Sequence, residues 1–302
     1  MFDFLKGGKA HLTLELDRAD ARYYAGETPH AVVTVIGEKD LKIQQGRISF
    51  VYREEYERRY EGWERDSHGH TRRKTHTAWE VDERNVKLQV ILNEGVVTAG
   101  SSQKFEFDLP IPSNAPASCA GRIVKIKWLV KATLDRKMTG DVEQQIEIAV
   151  LSTPPGKNVQ AGVFGDSNEP GEAELALKLP TGEFVFGETI EGILVIRPQK
   201  SFEVSEVRVE LARKEYVPRD LGHTAEQTQT VKLAGKTKLE AGKELELPFS
   251  IVVPSDAPCT SSTPNSSVTW NLKGILARTL RKDTLVEVEI SIYSERTGTQ
   301  NA

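Results

Sequence analysis

One ten-residue pattern occurs twice in this chain. KWLVKATLDR at 127–136 and TWNLKGILAR at 269–278 both carry Trp at the second position, Lys at the fifth and Arg at the tenth. A period this long is typical of tandem domains and not of a solenoid, so we predict two diverged copies of one domain. Further segments correspond in the same order, the first pair being centred on Gly-Glu-Thr: 23–36 with 184–197, and 109–118 with 249–260.

Apolar and polar residues alternate over short runs in both copies. HLTLEL at 11–16 and KIKWLVKATL at 125–134 are two examples. Alternation with period two marks a strand with one buried face, and turn-forming residues separate the runs. The sequence therefore predicts an all-β fold of two tandem immunoglobulin-like antiparallel β-sandwiches. Trp128 and Trp270, each on the apolar side of such a run, are predicted to be structural core residues.

The domain boundaries follow from a change in composition. The segment around 154–171 is rich in Pro, Gly and small polar residues and has no sustained period, so it is predicted to be a linker. This places the N-terminal sandwich at 1–153 and the C-terminal sandwich at 172–302. An alternative stays open, in which Val159 to Phe164 adds a short strand to one sheet.

Charge and cysteine content narrow the function classes. The net charge of −4 gives no field that would favour nucleic acid, and no apolar run is long enough to span a membrane. The start, MFDFLKGG, has no signal-peptide pattern and allows at most peripheral membrane contact. Cys119 and Cys259 are too few for a disulfide framework, which favours a cytoplasmic protein. No cofactor motif is present, so none is expected.

A succession of motifs resembles the arrestin-like proteins, which include α- and β-arrestins, the arrestin-like retromer subunit and bacterial sporulation-control proteins. It runs through a Y-x-x-G-E turn within Tyr23 to Val35, the strand Gly46 to Phe50, FEFDLPIP at 105–112 and then KWLVKATLDR. The second copy keeps the last element only in part, with Ala277 where Asp would stand.

The resemblance covers roughly residues 10–150 and 172–295. It implies two antiparallel β-sandwiches joined by a short linker, and a non-enzymatic adaptor or scaffold that binds other proteins. No basic phosphate-sensing pair or long acidic tail matches, so receptor binding of the animal type is not implied. A bacterial source is the interpretation we favour.

The first copy holds about 19 residues more than the second, within a charged and aromatic stretch that we call the arm (about residues 52–85). Its aromatic residues and i,i+4 ion pairs are compatible with a short helix. They also fit a β-hairpin, which we favour because the surrounding fold is β and cross-strand aromatic pairs stabilise such hairpins.

The arm is either a solvated hairpin or a surface that binds partner proteins. Tyr, Trp and Arg are the residue types that carry most interface energy, and loops on a rigid sandwich often hold binding sites. The predicted protein-binding residues are Tyr56, Arg58, Arg59, Tyr60, Trp63, Arg72, Arg73 and Lys74.

Other functions find less support in the sequence. His68, His70 and His76 are candidate metal ligands, because alternate residues of a strand face the same way, but their spacing matches no zinc signature. No nucleophile elbow, phosphate loop or HExxH motif occurs, so the chain is predicted not to be an enzyme. Two alternatives to an adaptor stay open: a self-assembling structural protein, and a sandwich that binds a metal or small molecule through these histidines.

Overall fold

The computed structural model describes residues 9–65, 67, 70–137, 140–155 and 162–296. Throughout these ranges the regular structure is strand, with no helix, which confirms the predicted all-β fold. The first copy contains β1 (Lys9–Leu16), β2 (Arg22–Tyr24), β3 (His30–Lys39), β4 (Leu41–Ile43), β5 (Gln45–Arg65), β6 (Thr71–Leu92), β7 (Gly95–Val97), β8 (Ser102–Asp108), β9 (Cys119–Ala120), β10 (Val124–Asp135) and β11 (Val142–Leu151).

The remaining strands belong to the linker region and the second copy. They are β12 (Gly162–Phe164), β13 (Ala173–Leu179), β14 (Glu183–Val185), β15 (Thr189–Pro198), β16 (Phe202–Val204), β17 (Glu206–Val217), β18 (His223–Ala234), β19 (Thr237–Leu239), β20 (Leu245–Val252), β21 (Ser261–Ser262), β22 (Ser267–Ala277) and β23 (Thr284–Tyr293).

The two copies share one strand order. The first has sheets β1-β3-β8 and β2-β11-β10-β5-β6, and the second has β13-β15-β20, extended by β12, and β14-β23-β22-β17-β18. In each copy a three-residue strand pairs in parallel with the last long strand: β2 with β11, and β14 with β23. This correspondence establishes two tandem β-sandwiches with the same strand order.

The alternative of a short strand between the copies is partly realised. Residues 162–164 form β12, which pairs antiparallel with β13, while 159–161 lie outside the described residues. Val163 of β12 stands opposite Lys178 of β13. The middle of the predicted linker therefore contributes an edge strand to the second sandwich.

The repeated Gly-Glu-Thr has a structural cause in the turn that it forms. Gly26 and Gly187 adopt φ values of 90° and 73°, which L side chains rarely take. The carboxylate of Glu27 accepts the backbone N–H of Tyr24 at 2.8 Å, and that of Glu188 accepts the N–H of Val185 at 3.0 Å. The motif closes the same turn in each copy.

The repeated tryptophan also has the same role in both copies. Trp128 and Trp270 are each 2% exposed. Their indole Nε1–H groups donate to the carbonyl oxygens of Pro116 and Pro258, at 3.0 and 3.1 Å. Each indole thus lies in the core with its polar atom satisfied, which is what a buried Trp requires.

Contacts divide the chain into two compact units. The first comprises the described residues within 1–55, 80–118 and 125–151, and the second those within 56–79, 119–124 and 152–302. These units differ from the predicted boundaries, 1–153 and 172–302, because most of the arm and the segment 119–124 pack within the second unit. The boundaries of the two sequence copies stay a prediction.

Candidate functional site

The arm consists of two paired strands, the outer parts of β5 and β6, and not of a helix. These strands have 21 and 22 residues, whereas the equivalent β17 and β18 have 12 each. The lengthening of nine and ten residues accounts for the difference of about 19 between the copies. The arm is therefore an extension of a hairpin that both copies possess.

The base of the arm, residues 56–60, is fixed within the second unit. Tyr56 is 5% exposed and packs in a small buried cluster with Ile123, Val124 and Val217. A buried side chain cannot meet a partner protein without rearrangement. The prediction that Tyr56 belongs to a binding surface therefore does not fit its position, which is that of a packing residue.

Backbone hydrogen bonds hold the same segment. The N–H of Glu57 donates to the carbonyl oxygen of Ile123 at 2.9 Å, and the carbonyl oxygen of Glu57 lies 3.0 Å from Nδ1 of His223. The N–H of Leu221 donates to the carbonyl oxygen of Arg59 at 3.1 Å. Neighbours on two sides thus fix the direction in which the arm leaves its base.

An ion pair adds to these contacts. Arg58 donates to the carboxylate of Asp220 at 2.8 Å, and its guanidinium lies 4.5 Å from the centre of the Tyr60 ring. Arg58 and Tyr60 are partly buried, so of the predicted residues these two contribute mainly to the packing of the base. Asp220 has a positive φ of 51°, a conformation that Asp tolerates better than most residues.

A buried carboxylate positions the segment against which the base packs. Glu215 is 1% exposed, and its two oxygens accept the backbone N–H groups of Arg122, Ile123 and Val124 at 3.0, 2.8 and 3.2 Å. Consecutive N–H groups that converge on one anion form a nest. A Cβ on Gly121 would lie 2.5 Å from Glu215 Oε2 and 2.7 Å from the carbonyl oxygen of Val124, so only glycine fits there.

Arg213 balances part of this buried charge. Its guanidinium lies 3.3 Å from the Glu215 carboxylate, donates to the side chain of Gln227 at 2.8 Å and sits 5.9 Å from the centre of the Trp270 ring. A buried carboxylate is tolerated when hydrogen bonds and an opposite charge satisfy it. No local pattern predicts this arrangement, because Glu215 lies in a charged run that is typical of a solvated strand.

The outer arm, residues 61–65 and 71–79, is exposed. Trp63 is 69% exposed. The Arg73 guanidinium lies 5.4 Å from the centre of its ring and 3.1 Å from the carboxylate of Glu61. On the opposite face, Lys74 donates to Glu64 at 2.7 Å. The exposed members of the predicted set are Arg59, Trp63, Arg72, Arg73 and Lys74.

The histidines of the arm do not form a common site in the described structure. The ring of His76 stacks near Tyr60, with centroids 5.6 Å apart. His70 is exposed, and His68 lies outside the described residues. Across the described ranges, no three His, Cys, Asp or Glu side chains are grouped so that they could hold a metal ion. Metal binding by His68, His70 and His76 stays a prediction.

A groove elsewhere on the second unit offers no catalytic arrangement. It has a volume of about 910 Å³ and lies over β12, β13, β15 and β20. Its ionisable lining residues are Lys178 and Glu191, and Lys178 already donates to Glu246 at 2.5 Å. No nucleophile and base, and no pair of carboxylates, converge in this lining.

Comparisons with known proteins follow the same division into two copies. Residues 12–154 match the family model described as "Arrestin (or S-antigen), N-terminal domain". Residues 169–283 match the family model described as "SpoOM protein". Among curated proteins, none matches the sequence at a significant level. In the described part of the chain, no helix is long and apolar enough to cross a membrane.

Proposed function

The chain belongs to the arrestin-like family of the sporulation-control type, and on that premise we propose that it is an adaptor that binds partner proteins through its arm and loops. The single observation that carries this proposal is Trp63, which is 69% exposed at the end of an arm whose base is fixed. Trp and Arg are the residues most often found at the energetic centre of interfaces. Holding them on a rigid base lowers the entropy lost on binding.

We also propose that the protein is not an enzyme and that it lies in the cytoplasm. An arrestin-like fold is generally non-enzymatic, and a protein-binding role needs neither cofactor nor metal. The small net charge of −4 speaks against nucleic acid as the partner. We place the protein in the reducing cytoplasm of a bacterial cell, because two cysteines are too few for a disulfide framework.

Self-association is a second candidate, favoured by a separate observation in the first unit. β6 is the last strand of its sheet in the described structure, and Val86, Leu88 and Val90 alternate along it as exposed apolar side chains. An edge of this kind is suited to pairing with a strand of another copy. Light scattering over a range of protein concentrations would measure it, with Leu88→Lys expected to abolish it.

The adaptor proposal is tested with a variant whose arm is shortened to the length of the β17–β18 hairpin. Wild type and variant are each purified from the cells that naturally make the protein, and the co-purifying proteins are compared quantitatively. We expect a defined partner with the wild type and its loss with the shortened arm. Equal recovery of the partner with wild type and variant would show that the arm does not bind it.

A further inference from the structure

The outer arm has one face that combines aromatic rings with guanidinium groups. Alternate residues of a strand point to the same side, so Arg59, Glu61, Trp63 and Arg65 share one face of β5. Arg73 of β6 reaches both Glu61 and Trp63, at 3.1 Å and 5.4 Å, which places it on that face too. We call this surface the distal face.

We propose that the distal face binds an extended, acidic segment of a partner protein. The inference rests on the proposed adaptor function and names the chemistry that the partner must present. It commits to carboxylate-bearing peptide, and three observations support it: the local charge, the preorganised Arg73 and the exposed aromatic surface.

The base and outer part of the arm, residues 56–79, are cationic in an acidic chain, whereas the whole arm (52–85) carries eight Lys or Arg and nine Asp or Glu. Residues 56–79 contain six Lys or Arg and four Asp or Glu, a net charge of +2, in a chain of net charge −4. The remaining residues therefore carry −6. Such an uneven distribution attracts an anionic partner to residues 56–79 more than to the rest of the chain. Arginine outnumbers lysine here, and its planar guanidinium matches a carboxylate with two parallel hydrogen bonds.

Arg73 is already oriented for this role. Its guanidinium rests near the Trp63 ring and pairs with Glu61, yet the side chain remains 65% exposed. The nearby ring and the ion pair limit its rotamers, which reduces the entropy lost when it meets a carboxylate. Glu61 competes for the same guanidinium, so an incoming carboxylate replaces an ion pair that is weak because it is exposed.

The aromatic rings supply the apolar part of the contact. Trp63 is 69% exposed, and Trp79, which alternation places on the face of Arg73, is 44% exposed. A bound segment that covers Trp63 removes a large apolar area from water. An extended peptide fits best, because every second side chain of a strand points to the same side, so carboxylate and apolar residues placed two positions apart both reach the distal face.

The test uses a fluorescent peptide with the repeat Glu-Ser-Val-Ser, which places glutamate and valine on one face of an extended strand, and the same peptide with lysine in place of glutamate. Anisotropy titrations of the full chain measure the dissociation constant. We expect the acidic peptide to bind, the basic one not to bind, and the affinity to fall with added salt. Trp63→Ala and Arg73→Glu should each weaken binding by about tenfold or more.

Matched controls separate the site from general effects. Leu280→Ala and Lys243→Glu change an apolar and a cationic residue that are 99% and 77% exposed and lie outside the arm, so neither should alter the affinity. Glu61→Gln removes the competing carboxylate and should strengthen binding by about twofold to fivefold. An increase is not expected of a variant that merely damages the fold.

Several outcomes would overturn the proposal. The acidic peptide could fail to bind, or Trp63→Ala and Arg73→Glu could bind it as tightly as wild type does. The distal face could also bind anionic vesicles or a second copy of the chain in place of the peptide. Competition separates this inference from the adaptor proposal. If a native partner binds through the arm and the acidic peptide does not displace it, the adaptor proposal is supported. The proposal that the distal face binds an acidic segment is then wrong.

Discussion

The carboxylate of Glu215 accepts the backbone N–H of Ile123 at 2.8 Å, although the two residues are 92 positions apart in the chain. The carbonyl oxygen of Ile123 in turn accepts the N–H of Glu57, at 2.9 Å, at the base of the arm. A buried acid in β17 thus orders a short segment, and that segment orders the arm. The orientation of the distal face depends on this chain of contacts.

Glu215→Gln should destabilise the protein by about 2–3 kcal/mol, because hydrogen bonds to a charged acceptor are stronger than those to an amide and the new NH₂ group would lie beside backbone donors. Urea denaturation measures the free energy of unfolding. Hydrogen exchange should quicken at Arg122, Ile123 and Val124. The exposed Glu226→Gln serves as the control and should stay within about 0.5 kcal/mol of wild type. Unchanged exchange in Glu215→Gln would refute the role given to this carboxylate.

Two substitutions at Asp220 should differ in their cost. Asp220→Asn keeps a side chain that tolerates the positive φ of 51° and loses only the partly exposed ion pair with Arg58, so we expect about 0–1 kcal/mol. Asp220→Val also places a β-branched residue in the left-handed region, which should add about 1–2 kcal/mol. Denaturation curves compare the pair. Equal losses of unfolding free energy would show that the positive φ at position 220 adds nothing to the cost of Asp220→Val.

Glu27 should contribute stability that acid removes. The Arg18 guanidinium donates to both of its oxygens, each at 2.8 Å, and this lowers the pKa of Glu27 below its ordinary value of 4.5. Because the folded-state pKa is the lower one, the contribution is complete above pH 4.5 and is lost as the pH falls through the folded-state value.

The measurement for Glu27 compares wild type with Glu27→Gln. Urea denaturation at neutral pH should show the variant to be less stable, and the difference should shrink as the solution is acidified below the ordinary pKa. If the difference in unfolding free energy stays constant over the acid range, it comes from packing alone. That result would contradict a contribution from the charge of Glu27.

The two cysteines should react at different rates. Cys259 is buried, and burial raises the pKa of its thiol, so little nucleophilic thiolate forms there. Cys119 is partly exposed. A thiol-specific reagent should therefore modify one group in the folded protein and both in denaturant, and Cys119→Ser should abolish the fast reaction. Fast reaction that survives in Cys119→Ser would place the accessible thiol at Cys259 instead.

The sequence predicts the architecture well because the relevant signals are local. Period-two alternation, the Gly-Glu-Thr turns and the duplicated Trp each act over a few residues, and the structure has them in equivalent places in both copies. The 19 additional residues pointed to the arm, and the favoured hairpin is the conformation that the structure shows.

The base of the arm could not be predicted in the same way. Tyr56 lies among Tyr52, Tyr60 and Trp63 in the sequence, and nothing local distinguishes its buried ring from the exposed one of Trp63. The Tyr56 ring packs with Ile123 and Val124, and both are held by Glu215, whose neighbours in the sequence are typical of a solvated strand. Contacts between segments so distant in sequence leave no periodic signal in any one of them.

The most direct test of the adaptor account is quantitative co-purification of the full chain from its natural cells, with wild type, Trp63→Ala/Arg73→Glu and the control Leu280→Ala/Lys243→Glu compared side by side. The account predicts a defined partner that is retained by wild type and control and lost from the arm variant, with all three chains equally folded by circular dichroism. Equal recovery of the same partner by all three would contradict it.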